Sequence, residues 1–473
     1  MESPAMSLSK RAFLIGSSAA IAAPAFAQSK TGKPRLMEGP MIGAVQPTSA
    51  LIWARASGAY QIQIQVADDA ALGASRATPA VTAQAEDDYT LRISVDGLKP
   101  ATRYYYRVLV NGAPDDYASE GPAPSFKTAP KAGAKGKFSV AFGSCARFQI
   151  DREQRIWHAI RAAQPDLFFW LGDNVYVDSL NPQSFPEEYR RQRSVAALQP
   201  VMQSVPQLAV WDDHDYGLNN HDRTNPMKDA ALTAFKQYWA NPSYGLDATP
   251  GVFFAYSYGD VDFFFLDGRF YRDPNEAPAA PTKTMLGAAQ LAWLKAGLKA
   301  SRAPFKVLVS GSGWSVGKGP TGDAWSAFTD ERNALFDFIR DERIPGVVLL
   351  SGDTHVAELN CVPWSEKGGY DFYDLTSSPL AQRTETSWME RFPEVRIRPV
   401  FFHDSNFGLL SFDTSAEPTL TYNAHDTMGH AAWSPLELKA KDLVNGVSSW
   451  RTKIDKRALV RHDRWKAGGA YYP

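Results

Sequence analysis

The sequence predicts a small all-β sandwich followed by a larger α/β domain, on three observations. From Leu36 to about Pro130, apolar residues alternate in short runs bounded by turn formers. From Phe138 onward, continuous apolar runs alternate with segments of helical period, as βαβ units require. Four of those apolar runs are closed by a small residue or sharp turn and then by side chains of metal-ligand type. In an open α/β sheet, such residues collect in the crevice beyond the carboxyl ends of the strands.

Taken in order, the chain begins with an address. Ser9-Lys10-Arg11-Ala12-Phe13-Leu14 precedes an apolar, small-residue stretch that ends in Ala25-Phe26-Ala27, so residues 1–27 read as an export signal cleaved after an A-x-A site. The S-K-R-x-F-L order resembles a twin-arginine signal with Lys10 in place of the first arginine, beside the alternative of an ordinary secretory signal. The protein is thus expected to be periplasmic or secreted. No later apolar run approaches the roughly 18 residues a transmembrane helix needs, so no transmembrane segment is expected.

Residues 36–130 read as the sandwich, with strands such as Ala50–Arg55 and Tyr60–Val66. The stretch Leu98-Lys99-Pro100-Ala101-Thr102-Arg103-Tyr104 looks like the corner of fibronectin type III-like sandwiches, where a tyrosine closes the turn between sheets. Tyr104, Tyr106 and Val108 then share one face. Such a module acts as a cap or spacer, or else as a carbohydrate-binding or adhesive element. Lys131–Lys137 is a polar, Gly-containing linker.

Residues 137–435 read as the α/β domain. Strand Phe138–Phe142, a helix within Arg152–Ala163 and strand Leu167–Leu171 make the first βαβ unit. Further strands are expected at Leu208–Trp211, Val261–Leu266, Phe305–Val309 and Val347–Leu350, with helices at Gln290–Lys299 and Asp330–Arg340. Asn181–Pro206, with its charged run Glu187–Arg193, and the Pro- and Ala-rich Asp273–Thr284 read as insertions rimming the site. The arginines of the charged run are expected on a solvated face. Residues 436–473 form a basic tail around Trp450 and Trp465, lying over the site or on the back.

Composition narrows the function classes. A chain of 473 residues with 44% apolar and 21% charged residues can bury a large core in two or three domains. A formal net charge of −1 offers no bulk attraction to nucleic acid, and no nucleic-acid-binding module is read. Two cysteines far apart are no disulfide framework. Either Cys145 pairs with Cys361, or one of them has a chemical job, and the strand-end position of Cys145 favours the job.

The strand ends carry that chemistry. Gly143-Ser144-Cys145, Gly172-Asp173-Asn174-Val175-Tyr176, Asp212-Asp213-His214-Asp215 and Ser351-Gly352-Asp353-Thr354-His355 follow the four strands. Asp173 can bridge two cations. Thiolate from Cys145, phenolate from Tyr176 and the Asp173 carboxylate form an anionic set that suits a ferric ion better than zinc or magnesium, with His355 completing it. Asp213, Asp353 and the shared Asp173 offer oxygens alone, the set a calcium or magnesium ion takes. Two such cations acidify a water and clamp phosphoryl oxygens. His214 is placed as a catalytic acid or phosphoryl stabiliser, and Arg147 and Arg269 as bidentate donors to phosphate. Trp170, Trp211, Trp314 and Trp325 offer an apolar leaving-group pocket, or else core.

These motifs, with Leu266-Asp267-Gly268-Arg269-Phe270-Tyr271-Arg272 and Thr284-Met285-Leu286-Gly287, resemble the PhoD-like alkaline phosphatases of the calcineurin-like metallophosphatase superfamily. The resemblance covers nearly the whole chain after the signal. It implies an αββα metallophosphatase sandwich behind the β-sandwich, and an exported hydrolase of phosphate monoesters, diesters or both that acts through a metal-bound hydroxide. It implies one iron with one or two calcium ions, the iron held by Cys145, Asp173 and Tyr176, with zinc or manganese as the alternative loading. Asp213 and Asp353 stand where the wider superfamily carries Asn and His. Departures are Asn174 where the family is commonly aromatic, Gly268 where threonine is common, and Ser310–Trp314, which lacks the superfamily's upstream histidine. The expected partner is a small-molecule, lipid or polymer phosphoester. The competing reading from another class is a surface-binding protein whose second domain is a relic.

Overall fold

The computed structural model describes residues 33–115, 122–391 and 393–468. The expected export signal, residues 1–27, lies outside them, as does the side chain of Trp465.

Two antiparallel sheets form the N-terminal region. Leu36–Val45, Ser49–Ala56 and Thr90–Asp96 make one, and Gln61–Ala67 with Arg103–Val110 form the centre of the other. Along Arg103–Val110 every second residue, from Tyr104 to Val110, is buried, the period of a half-buried strand. The Tyr104 hydroxyl accepts the backbone N–H of Lys99 at 2.9 Å, which closes the turn as a tyrosine corner does.

Two larger sheets follow. The first runs Gln207–Val210, Leu167–Leu171, Lys137–Gly143, Asn406–Asp413, Thr419–Asp426, Leu436–Lys439. The second runs Phe254–Tyr258, Val261–Phe265, Phe305–Val309, Val347–Ser351, Phe372–Thr376, Glu358–Val362, Val395–Arg396. Alternate side chains of single strands decide the layering. Phe169 meets Phe263 and Phe265 of the other sheet at 5.0 and 4.9 Å between ring centres, edge to face. Its neighbours Phe168 and Trp170 turn the opposite way, onto Trp157 of helix Ile156–Ala163. On the second sheet Phe264 turns outward to Trp293 of helix Ala288–Ala300, and Phe372 to Phe336 of helix Thr329–Asp341. Each sheet therefore carries helices on its outer face and aromatics between, an αββα sandwich.

The chain departs from the sequence reading in two places. The basic tail is not separate from its start: Leu436–Lys439 pairs with Thr419–Asp426, and Leu443, Trp450, Ile454 and Ala458 join the core. The charged run Glu187–Arg193 is not a fully solvated face either. Arg193 is fully enclosed, its guanidinium 4.1 Å from the ring of Trp239 and 5.6 Å from that of Trp53. Because Trp53 belongs to the N-terminal sheets and its indole donates to the carbonyl of Gln237, the sandwich and the α/β layers share a packed seam.

Candidate metal centre

The site begins as backbone geometry. Strands Lys137–Gly143, Leu167–Leu171 and Gln207–Val210 are mutually parallel, as are Phe305–Val309, Val347–Ser351 and Phe372–Thr376 in the other sheet. Beyond their carboxyl ends the chain turns through left-handed φ at Cys145 (61°), Asp173 (49°), Asp178 (45°), Asp353 (69°) and His355 (56°). For residues with a Cβ such conformations are costly and persist where function and surroundings fix them. Gly172 has no substitute: at φ 88° a Cβ would stand 2.4 Å from that of Asp212. The two sheets are tied at this edge, where the N–H of Asp353 donates to Ser144 Oγ at 3.0 Å.

Four predicted side chains meet here. Cys145 Sγ lies 3.3 Å from Asp173 Oδ2, the Tyr176 hydroxyl 3.3 Å from the same oxygen, and His355 Nε2 3.5 Å from that hydroxyl. The two separations at the Tyr176 hydroxyl are long for hydrogen bonds. They match instead the roughly 3 to 3.5 Å between neighbouring donors around a cation bound at about 2.0–2.3 Å. A second set, Asp173, Asp213 and His214, shares Asp173 with the first, and ligand atoms of Cys145, Asp173 and His355, like those of the second set, lie within 4.8 Å of one another.

Electrostatics point the same way. Burial, and then the charges of Asp173 and Asp353, push the Cys145 thiol far above its ordinary range. Burial likewise raises Asp173, and Asp213 adds to it. Burial raises the Tyr176 phenol, with Cys145 and Asp173 adding. Burying three acids together costs free energy that a cation between them reverses, and a bound cation draws off their protons. His355 is pushed down to about 4 by burial, so it is the neutral imidazole that ligates metals. Asp213 Oδ1 is buried and accepts no hydrogen bond, although the N–H of Asn220 donates to its other oxygen. A soft–hard anionic donor set with one carboxylate oxygen left over fits a pair of cations.

His214, a member of the second set by distance, faces Tyr176, and Arg147 stands beside it. The His214 ring lies against that of Tyr176, centres 4.2 Å apart, and its Nδ1 is 2.5 Å from Asp178 Oδ1. Burial opposes its protonation, but Asp213, Asp173 and the bond to Asp178 outweigh this and lift it to about 10. Arg147 covers Tyr176 at 4.7 Å, reaches Asp178 at 3.5 Å and is one-third exposed. Asp178 was not singled out in the sequence, although it closes the same stretch as Asp173 and Tyr176. Its signal was only proximity.

Other predicted residues are placed differently. Arg269 is fully enclosed, and its guanidinium binds Asp212 and Asp323, with Asp213 at 3.8 Å. It neutralises the carboxylates beneath the site and has no face left for phosphate, which corrects the substrate-binding role expected of it. The charges of Arg269 and Arg272 likewise occupy the acidic group Asp212, Asp213 and Asp323. Asp353 belongs to neither donor set and pairs with Lys318, a residue the sequence reading passed over. Trp170, Trp211, Trp314 and Trp325 are fully buried and serve the core, not a leaving-group pocket. Cys145 and Cys361 are both buried and free, so the single disulfide is not formed.

Comparison with known proteins settles the family. The profile of the PhoD-like phosphatase matches residues 140–391, and that of the PhoD-like phosphatase N-terminal domain matches residues 20–130. The chain belongs to the PhoD-like phosphatase family. Alkaline phosphatase D of Bacillus subtilis (strain 168) is 25% identical over 343 residues, 62% of this PhoD-like chain. The match spans 56% of that relative's length. The solved structure of PhoD superposes with a TM-score of 0.71 at 19% identity, over 90% of this chain and 96% of that one. A purple acid phosphatase from yellow lupin (Lupinus luteus) shares the fold at TM-score 0.59 and 12% identity, over 88% and 74% of the two chains. The αββα fold of this member of the PhoD-like family is thus common to both.

Proposed function

We propose that the protein is an exported, metal-dependent phosphoesterase acting on phosphate monoesters, diesters or both. The observation that carries this reading is that Asp173 belongs to both donor sets, so that one carboxylate can hold two cations side by side. Cys145, Asp173, Tyr176 and His355 would hold a ferric ion, and Asp173 with Asp213 a calcium ion. When bound, the pair supplies Lewis acidity and an acidified water to a phosphoryl group.

The chain's own residues do the rest. His214, held at Nδ1 by Asp178, carries a proton for the leaving oxygen. Arg147, exposed on the same rim, offers its guanidinium to phosphoryl oxygens. Asp215 accepts the N–H groups of Asn174 and Asp212, both at 3.1 Å, and so keeps the two metal-bearing turns in register. Arg269 sets a positive charge against Asp212 and Asp323 from below.

Export is supported by the order Ser9–Leu14, apolar stretch, Ala25–Ala27. Among the described residues no helix is long and apolar enough to cross a membrane. The test is elemental analysis of the purified protein alongside chromogenic phosphate monoester and diester substrates. Turnover of at least one ester by metal-loaded protein is expected. No turnover of either at full metal loading contradicts the enzyme and favours the surface-binding reading.

A further inference from the structure

The last helix, Lys456–Lys466, carries five basic residues and one acid, in a chain whose formal net charge is only −1. Its two sides are unlike. Ala458 and His462, four residues apart and so on one face, are both fully enclosed, and the His462 ring meets that of Trp450 edge to face at 5.8 Å. The N–H of Asp455, just before the helix, donates to the carbonyl of Ile397 at 2.9 Å. The helix is thereby held against the edge of the second sheet, where Val395–Arg396 is the last strand. It is free neither to roll nor to leave.

The other side faces outward. Lys456, Val460 and Arg464 follow one another at four-residue steps, with Arg457 and Arg461 in the next row. Together these five line one open depression, and the helix's single acid, Asp463, does not line it. Arg457 reaches Asp455 at 3.3 Å, but its side chain is 74% exposed, so this pair neutralises little. At the centre of the cations stands Val460, 67% exposed. Like charges gathered on one face repel, and an anionic surface brought within a Debye length relieves them. The valine selects among such surfaces. Against a hydrated polyanion it gains nothing. Against a bilayer it reaches the boundary between headgroups and acyl chains, while the aliphatic stems of its neighbours lie flat and their charges meet the headgroups.

We propose that this outward face docks the protein on the surface of an anionic phospholipid bilayer. The contact is peripheral, because the inward face stays packed on the core. None of the five residues belongs to a donor set of the metal centre, so docking and catalysis are separable.

The experiment is co-sedimentation of the purified protein with vesicles of phosphatidylcholine alone or with about one-third phosphatidylglycerol, at about 50 mM and about 500 mM salt. Wild type is expected to bind the anionic vesicles at low salt, to leave them at high salt and to ignore phosphatidylcholine. Each exposed cation removed costs about fivefold in binding, so the triple variant Lys456→Gln, Arg457→Gln, Arg464→Gln is expected to bind about 100-fold more weakly. Val460→Ser is expected to lose roughly threefold. Circular dichroism confirms the fold, and Arg464→Gln alone, with its fivefold loss, serves should the triple variant not fold. Turnover of a soluble ester by the triple variant is expected to equal that of wild type. No binding of wild type to anionic vesicles, or equal binding by the folded triple variant, overturns the proposal. Duplex DNA is the control ligand: if it is bound as tightly as the vesicles and Val460→Ser weakens neither, the face takes polyanions at large and the assignment to a bilayer falls.

Discussion

Asp178 Oδ1 and His214 Nδ1 lie 2.5 Å apart at the rim of the site, so the carboxylate sets both the orientation and the protonated nitrogen of the ring. A group that acts by holding another is expected to matter by a factor of about 10 to 100. Asp178→Asn should therefore lower kcat by about that factor while leaving KM and metal content near wild type. Steady-state kinetics with elemental analysis check this. Loss of metal in His214→Ala would make the imidazole a ligand rather than an acid.

Asp173 is the residue on which both donor sets depend. Asp173→Ala is expected to remove bound metal and activity together, whereas Tyr176→Phe should remove only the phenolate and leave part of each. Metal content and turnover measured on the same preparations decide it, and wild-type turnover in Asp173→Ala contradicts the shared-carboxylate geometry.

Arg269 separates a structural from a substrate-binding role. Its guanidinium is enclosed between Asp212 and Asp323. Removing one partner of a buried charge network leaves the others unpaired, at a cost of about 3–5 kcal/mol. Arg269→Met should show a loss of that order in chemical denaturation. A loss below about 1 kcal/mol accompanied by a raised KM would return Arg269 to the substrate.

Asp374 gives a pH dependence away from the metal centre. Burial lifts its carboxyl to about 7, and it accepts the Ser351 hydroxyl and the N–H of Trp314. Between its ordinary value and about 7 the folded protein holds a proton that the unfolded chain has released, so this group costs stability progressively as pH rises through that window. In the neutral isostere Asp374→Asn the amide oxygen accepts the N–H of Trp314 and the amide nitrogen donates to the Ser351 hydroxyl, which turns to donate to Thr376, so both contacts are kept and the cost is removed. The Tm of Asp374→Asn relative to wild type should rise between about pH 5 and about pH 8. A gap that stays constant contradicts the buried carboxyl.

What the sequence made legible was local. An apolar run, a glycine and a ligand-type side chain sit within a few residues of one another at Phe142–Cys145, Leu171–Tyr176 and Leu350–His355, so both strand and site could be read there. The charge partners were not local. Arg269 meets Asp212 and Asp323 from 57 and 54 residues away, and Lys318 meets Asp353 from 35. Nothing in their neighbourhoods distinguishes a phosphate-binding arginine from one that neutralises a carboxylate floor. Arg193 was misread for a related reason: the run Glu187–Arg193 is charged throughout, and only tertiary packing puts Trp239 and Trp53 beside its last residue. Leu436–Lys439 was absorbed into a basic tail because four residues are too few for period to outweigh composition.

The visible absorption of the purified protein, read with its iron content, tests the central claim most directly. A ferric ion on the Cys145 thiolate and Tyr176 phenolate absorbs visible light. The expected result is about one iron per chain with a visible band that shifts in Tyr176→Phe and in Cys145→Ser. A colourless, iron-free preparation that turns over phosphoesters at full rate would contradict it.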